Sequence, residues 1–193
     1  MQQRSEETRS RILESAMVCF AKYGFKETSI QQICQDAGVS KGAFYHHFPS
    51  KQTLFMELLK GWLDLIELGF ETSKQESVPE TLMQMTGILP AAIISANDQL
   101  PMFLEFWLQA SRDQNIWELT IAPYHHFQAY FEELIQRGID EGSFSAVEPK
   151  PVAQLIVSMA VGLLLQGLLD PKGADWNETA RENMRIILKG LEV

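Results

Sequence analysis

Apolar residues recur every three or four positions through most of the chain, which is the spacing of helices that bury one face. The first such stripe lies between Glu6 and Tyr23. Another begins after Ser50 and predicts a long helix that joins two domains. The sequence shows neither the alternation typical of strands nor an internal repeat. The pattern therefore predicts an all-α fold of about nine helices.

A capping box marks the start of a helix in the middle of the chain. Ser77 and Glu80 frame this box, and Pro79 lies in the first turn, where its missing N–H has no consequence. We expect the helix to continue through about Ala96, with a kink at Pro90 because proline cannot donate the internal hydrogen bond.

Two more helical stretches follow. Asn97 or Asp98 can cap the first of them. The second is predicted to reach about Glu141, to bend near Pro123 and to end at Gly142.

The last part of the chain predicts a loop and two helices. Residues 148–151 contain two prolines and are assigned to the loop. A very apolar helix then runs from Val152 to about Leu169. Asp175 with Glu178 caps the final helix, which continues to about residue 191.

One stretch near the N-terminus predicts two short helices around a glycine turn. Thr28 can cap the first helix, and Gln31 can reach back to the amide of the cap. Gly38 supplies a position that tolerates positive φ, and Ser40 can cap a second helix over residues 41–48. Two helices joined by so short a turn form a helix-turn-helix, whose second helix enters the major groove of DNA.

The residues of this motif are specific. The sequence AGVSKG at 37–42 is followed by FYHHF at 44–48 and by Lys51, and the preceding helix ends in FAKYGF at 20–25. In these residues the chain resembles the tetracycline-repressor (TetR) family of bacterial transcriptional regulators. The resemblance is close over roughly the first quarter of the chain, and elsewhere it extends only to length and helical pattern.

The resemblance implies two domains. Residues 1–50 are expected to form a three-helix DNA-binding domain with the helix-turn-helix. Residues 51–193 are expected to form a larger helical domain for ligand binding and dimerisation.

Candidate DNA-binding residues lie at the two helix starts and along the second helix. A helix N-terminus favours phosphate, although a simple cap explains the first two residues equally well. Lysine reaches a base edge or a phosphate, and alanine can pack on a thymine methyl. The resemblance assigns the later positions to phosphate and sugar contacts. The candidates are Thr28, Ser29, Ser40, Lys41, Gly42, Ala43, Tyr45, His46, His47 and Lys51.

Other chemistry is poorly supported by the sequence. His46 and His47 are neighbours on a helix and point about 100° apart, whereas two-histidine metal sites use positions four apart. Cys19 and Cys34 fall on apolar helix faces and are expected to be small core residues, with a redox-sensing pair as the alternative. No phosphate loop, zinc spacing or nucleophile motif is present, so we predict no enzyme activity, metal or cofactor.

Net charge is unevenly distributed along the chain. Residues 1–51 contain seven Lys and Arg against five Asp and Glu, a balance of +2, so with −9 overall the remainder carries −11. Phosphate binding needs only a locally basic surface. The modest local charge predicts specific binding rather than strong non-specific binding.

Large apolar side chains in the second domain are candidates for an effector pocket, because such sites are mostly apolar. In any helical domain most such residues are simply core. Glu105 within this cluster would favour a cationic ligand, but a surface salt bridge explains it as well. The candidate lining residues are Trp62, Phe70, Met85, Met102, Phe103, Phe106 and Trp107.

The helix over 152–169 is apolar nearly all round and carries small residues that permit close helix approach. Exposed, it would be a liability, so a partner helix is expected to cover it. The resemblance implies a two-fold dimer in which the last two helices of each chain form a four-helix bundle. The candidate interface residues are Ala153, Ile156, Val157, Ala160, Leu164 and Ile187.

The sequence thus predicts a homodimeric repressor that binds a palindromic double-stranded DNA operator and is released by a small hydrophobic effector. The alternative is a regulator of the same fold that binds no ligand and recruits a protein partner. The polar start and the lack of any apolar run near 18 residues predict a cytoplasmic protein without a membrane segment.

Overall fold

The computed structural model describes residues 2–88, 111 and 114–192. Within them the chain forms eight α-helices and no strand, which confirms the predicted all-α fold. The helices are α1 (Gln2–Glu27), α2 (Ile30–Asp36), α3 (Lys41–His47), α4 (Lys51–Thr72), α5 (Val78–Met85), α6 (Gln114–Asp140), α7 (Pro149–Leu169) and α8 (Trp176–Lys189).

The described residues belong to two compact units. The first contains the chain up to Leu65 together with residue 111, and the second contains the chain from Ile66 to residue 88 and from residue 114 onward. The division falls inside α4, so a single helix contributes residues to both units. The domain boundary expected at residues 50 and 51 stays a prediction.

The first unit is built on the apolar stripe of α1. Ile12, Ala16 and Phe20 on this helix are buried. The Phe20 ring lies 5.4 Å from that of Phe25 and 5.8 Å from that of Phe55 on α4. Gly24 interrupts α1 with φ of 79°, a value that L side chains rarely adopt. The regular part of α1 thus ends near Tyr23, as the sequence predicts.

An aromatic cluster lies in the core of the second unit. Phe70 of α4 stacks on Tyr130 with ring centroids 5.0 Å apart, and it contacts Phe127 and Phe131 edge-on at 5.6 and 5.4 Å. These three partners belong to α6, whose residues 127, 130, 131, 134 and 135 recur at helical spacing. Burial of this cluster raises the pKa of the Tyr130 hydroxyl.

Helix α5 begins as predicted but ends earlier. Ser77 accepts a hydrogen bond from the Glu80 amide, and the Glu80 side chain caps Ser77 in return, which confirms the capping box. The helix ends at Met85, where the Thr86 and Gly87 amides bond only three residues back, to the Met83 and Gln84 carbonyls, both at 3.3 Å. The predicted continuation to Ala96 lies outside the described residues from residue 89 onward. The predicted kink at Pro90 and the helix start at residue 97 or 98 lie outside the described residues.

Helix α7 begins three residues earlier than predicted. Residues 149–151 form its first turn rather than part of a loop, since prolines at these positions give up no internal hydrogen bond. Asp175 accepts from the Asn177 and Glu178 amides at 3.0 and 3.1 Å, which confirms the predicted cap of α8.

Helix α7 is long and apolar enough, by length and composition alone, to cross a membrane. In the structure it packs along α6, and Ala153, Ile156 and Val157 are buried. Its composition is therefore explained in part by burial inside the second unit.

A carboxylate connects the end of α6 to the start of α5. Glu141 accepts the backbone N–H of Val78 at 2.8 Å and the hydroxyl of Ser143 at 2.7 Å. These two hydrogen bonds lower the pKa of Glu141 from 4.5. Val78 is the first residue of α5, so the charge also lies at the positive end of the helix dipole.

Candidate nucleic-acid interface

A Schellman turn separates α2 from α3. The Val39 amide donates to the Cys34 carbonyl at 3.0 Å, and the Gly38 amide donates to the Gln35 carbonyl at 3.3 Å. Gly38 has φ of 62°, which confirms the predicted left-handed turn position. Because both bonds are made by backbone atoms, the turn itself needs no side-chain hydrogen bond.

The caps of the two helices differ in one respect from the sequence prediction. Ser40 accepts the Ala43 amide at 3.1 Å and caps α3 as predicted. The cap of α2, however, is Ser29 with Gln32, and not Thr28 with Gln31. The two candidate boxes differ by one residue in a sequence with two consecutive hydroxyl residues and two consecutive glutamines, so their spacing alone does not distinguish them.

Thr28 has a different role from the one expected. Its side chain is 1% exposed, and its hydroxyl donates to the carbonyls of Cys19 and Gly24 at 3.0 and 2.7 Å. These bonds tie the end of α1 to the start of α2. The Thr28 side chain therefore belongs to the protein interior and is left out of the DNA-facing set, whereas Ser29 is exposed.

Helix α3 has one buried and one exposed face. Phe44 and, at the end of the helix, Phe48 are buried. The opposite face carries exposed residues at positions 41, 42, 45 and 46, which lie within about 140° of one another on a helical wheel. Ala43 and His47 are partly buried at its borders. The exposed face thus presents a lysine, a glycine, a tyrosine that is 53% exposed, and a histidine.

Gly42 is not required by the packing of the protein. A Cβ atom at this position would meet only the Ser40 Oγ, at the ordinary contact distance of 3.7 Å. Glycine in a helix costs roughly 0.5–1 kcal/mol of stability relative to alanine. The residue is therefore unexplained by the fold, whereas it fits a helix whose backbone approaches an external surface closely.

The ammonium group of Lys51 bonds to backbone carbonyls of the protein itself. The Nζ atom donates to the carbonyls of Phe25, Lys26 and Thr28 at 2.6, 3.1 and 2.7 Å, and it lies 4.6 Å from the Phe25 ring centroid. An ammonium has three protons, and three carbonyls accept them. Lys51, expected to contact phosphate, therefore caps the end of α1 and connects it to α4.

A second cation connects the same helices near the end of α3. Arg9 of α1 forms a salt bridge with Glu57 of α4, and its guanidinium lies 5.4 Å from the Phe48 ring centroid. The pKa of His47 is lowered from 6.5, first by burial and then by the charges of His46 and Arg9. Sequence reasoning missed Arg9 and Glu57, which are 48 residues apart.

Both cysteines are buried, and burial raises the pKa of each thiol. A raised pKa keeps sulfur in the less reactive thiol form, which agrees with a packing role for Cys19 and Cys34.

The predicted effector-pocket residues fall into three groups. Phe70 and Met85 are part of the buried core of the second unit. Trp62 is partly buried in the first unit. Met102, Phe103, Phe106 and Trp107 lie outside the described residues.

The candidate dimer residues are mostly turned inward. Ala153, Ile156, Val157 and Leu164 are buried within the chain, and Ala160 and Ile187 are partly buried. The exposed face of α7 instead carries Leu155, Ser158, Val161, Leu165 and Leu169. Sequence periodicity did not separate the two faces, because both are apolar.

A capped helix-turn-helix with a polar, accessible second helix is the DNA-binding element of a transcription regulator. The chain matches two family profiles that agree with this class. Residues 12–58 match "Bacterial regulatory proteins, tetR family", and residues 86–191 match "BetI-type transcriptional repressor, C-terminal". The chain belongs to the TetR family of bacterial transcriptional regulators, and it is not an enzyme.

Individual relatives support the same assignment. The chain is 27% identical to the uncharacterized HTH-type transcriptional regulator YfiR of Bacillus subtilis over 95% of its own length and 91% of that protein. It is 43% identical to the HTH-type transcriptional repressor KstR2 of Mycobacterium tuberculosis over 70% of its length and 68% of that protein. A TetR transcription regulator from Haloarcula marismortui shares the fold, with a TM-score of 0.85, 18% identity, and coverage of 97% of this chain and 100% of that one.

Proposed function

We propose that this protein is a homodimeric repressor that binds a palindromic operator and is released when a small hydrophobic effector enters its second unit. The observation that carries the DNA-binding part is the exposed face of α3, with Lys41, Tyr45 and His46 around Gly42. Ser29 and Ser40 are exposed at the two helix starts, where the positive end of the helix dipole favours phosphate.

The exposed face of α7 supports dimerisation. Leu155, Ser158, Val161, Leu165 and Leu169 are spaced three and four residues apart, the spacing of a seam between two helices, and the partly buried Gly162 lies beside them. Serine and glycine at its centre allow close approach. Three leucines that are 42–75% exposed on one helix are costly in water, and a second copy of α7 would cover them.

Ile186 on α8 is also exposed, which supports including α8 in the same proposed interface. The two copies of α3 would then be related by a two-fold axis. They can contact successive major grooves if they lie about 34 Å apart.

The effector part of the proposal rests on α4. This helix begins at Lys51, shortly after the helix-turn-helix, and its last turns contribute Phe70 to the aromatic cluster. A ligand that shifts α4 would change the positions of the residues at its other end. A coupling of roughly 3 kcal/mol between the two sites would change operator affinity more than a hundredfold when the effector binds. Operator binding would weaken effector affinity by the same factor.

The test is to select a DNA duplex from a random pool on the purified protein and to measure the mass of the complex. We expect a two-fold symmetric sequence bound by a dimer. A library of small apolar compounds is then titrated against the complex. Selection of no sequence would remove the DNA-binding proposal, whereas an asymmetric site bound by one chain would remove the dimer. Failure of every compound to change affinity would remove the induction.

A further inference from the structure

Two features of the first unit converge on the C-terminal end of α3. Phe48 closes this helix with its backbone N–H bonded to the Phe44 carbonyl at 2.8 Å, and its side chain is 1% exposed. The guanidinium of Arg9 lies over the Phe48 ring, on the side that α1 covers. The same guanidinium is bonded to the Glu57 carboxylate of α4.

We propose that Arg9 is a positioning residue, which fixes the end of α3 between α1 and α4 and thereby sets operator affinity without contacting DNA. The proposal rests on the DNA-binding function proposed above. Arginine suits this role because its planar group can stack on an aromatic ring and bind a carboxylate along its edge at the same time. Lysine is a compact charge and cannot maintain both contacts with the same geometry.

The salt bridge with Glu57 makes it possible to distinguish two roles of Arg9, which are positioning of α3 and direct attraction to phosphate. Glu57 carries a negative charge, so its removal makes the protein more attractive to DNA by electrostatics alone. If the Arg9–Glu57 pair holds α3 in place, the same removal releases Arg9 and weakens binding. The two explanations therefore predict opposite signs for Glu57→Gln.

The experiment measures affinity for the duplex that the unmodified protein selects from a random pool, at several salt concentrations. We expect Arg9→Gln to weaken binding about five- to tenfold, which corresponds to the loss of one such contact, and Arg9→Lys to restore little of it. Glu57→Gln is expected to weaken binding about threefold or more. Asp64→Asn, the same type of charge change at an exposed site on α4, serves as the control and should not weaken binding.

The salt dependence separates the two roles for Arg9. A lost phosphate contact lowers the slope of log affinity against log salt by about one, whereas a lost positioning contact leaves the slope unchanged. An unchanged slope with weaker binding supports the proposal. A reduced slope, or equal or tighter binding by Glu57→Gln, overturns it.

A measurement without DNA tests whether Arg9 lies beside the end of α3. The charged groups beside His47 are His46 on its own helix and Arg9 on α1, with Glu57 on α4 bonded to Arg9. Removing the Arg9 charge should therefore raise the His47 pKa in an NMR titration, while Asp64→Asn leaves it unchanged. An unchanged His47 pKa in Arg9→Gln would overturn the proposed placement. If the unmodified protein selects no duplex, the proposed function fails, and this titration still decides whether Arg9 lies where we infer.

Discussion

The Nζ atom of Lys51 lies 2.7 Å from the carbonyl oxygen of Thr28, so the first residue of α4 is bonded to the residue before the cap of α2. The same ammonium also closes the end of α1. The start of the long helix and the start of the helix-turn-helix are therefore joined through one side chain.

Replacing Lys51 with Met should lower the free energy of unfolding by about 2 kcal/mol, because three carbonyls lose a charged donor. Urea unfolding measures this loss. Lys60→Met is the control, since Lys60 is exposed on the same helix. We also expect weaker operator binding with an unchanged salt slope. If stability is unaffected and the slope falls by about one, Lys51 is a phosphate contact after all.

Replacing Gly42 with Ala should separate stability from binding. The variant is expected to unfold at higher urea concentration, with a gain of roughly 0.5–1 kcal/mol, because alanine favours the helix and has room for its methyl group. Operator affinity should fall, since that methyl occupies the space of the approaching DNA.

Gly61→Ala provides the matched control for this prediction. Gly61 is exposed in α4, and a Cβ there meets nothing within 4 Å. The control should show a similar gain in stability and no change in operator affinity. Equal affinity for Gly42→Ala and the unmodified protein would show that α3 does not approach DNA at this residue.

The Glu141 carboxylate gives the fold a defined acid sensitivity. Its pKa is lowered in the folded protein, so its stabilisation is fully present above 4.5 and is lost as pH falls through the lowered value. Glu141→Gln should reduce the unfolding free energy at pH 7 by about 0.5–1 kcal/mol, a small figure because solvent screens this exposed group.

Below its own lowered pKa, the unmodified protein should approach the stability of the Glu141→Gln variant. Glu133→Gln on the exposed surface of α6 is the control and should follow the unmodified protein at every pH. A constant difference between Glu141→Gln and the unmodified protein across the acid range would contradict the role of the charge.

Replacing Leu165 with Glu should convert the proposed dimer to monomers, because a charge would be buried in the proposed seam between two copies of α7. Sedimentation velocity measures the change, and operator affinity should fall with it. Leu68→Glu is the control, since Leu68 is 59% exposed on another helix. A dimer that survives Leu165→Glu would place the interface elsewhere.

The sequence predicts those parts of the fold whose cause is local. Ser40, Gly38 and the Ser77 box act within a few residues, and the structure confirms all three. The predicted cap of α2 was wrong, because Thr28 with Gln31 and Ser29 with Gln32 fit the spacing of a capping box equally well. Prediction also failed for α7, because the helix is apolar on both faces and only the position of α6 determines which face is buried.

The long-range contacts could not be predicted from the sequence for a different reason. Arg9 and Glu57, or Lys51 and the end of α1, meet only when three helices have assembled, and no spacing within the sequence encodes that meeting. The sequence therefore shows both cations only as part of the net charge, and the DNA contact of Lys51 stays a prediction.

The pairing of Arg9 with Glu57 has a consequence for how the protein searches a chromosome. Glu57 lies outside residues 1–51 and offsets the charge of Arg9, one of the seven positive side chains there, so the field that faces random DNA is weaker than that count suggests. We expect short encounters and frequent hops instead of long one-dimensional sliding. Residence at the correct site would then depend mainly on shape and base contacts.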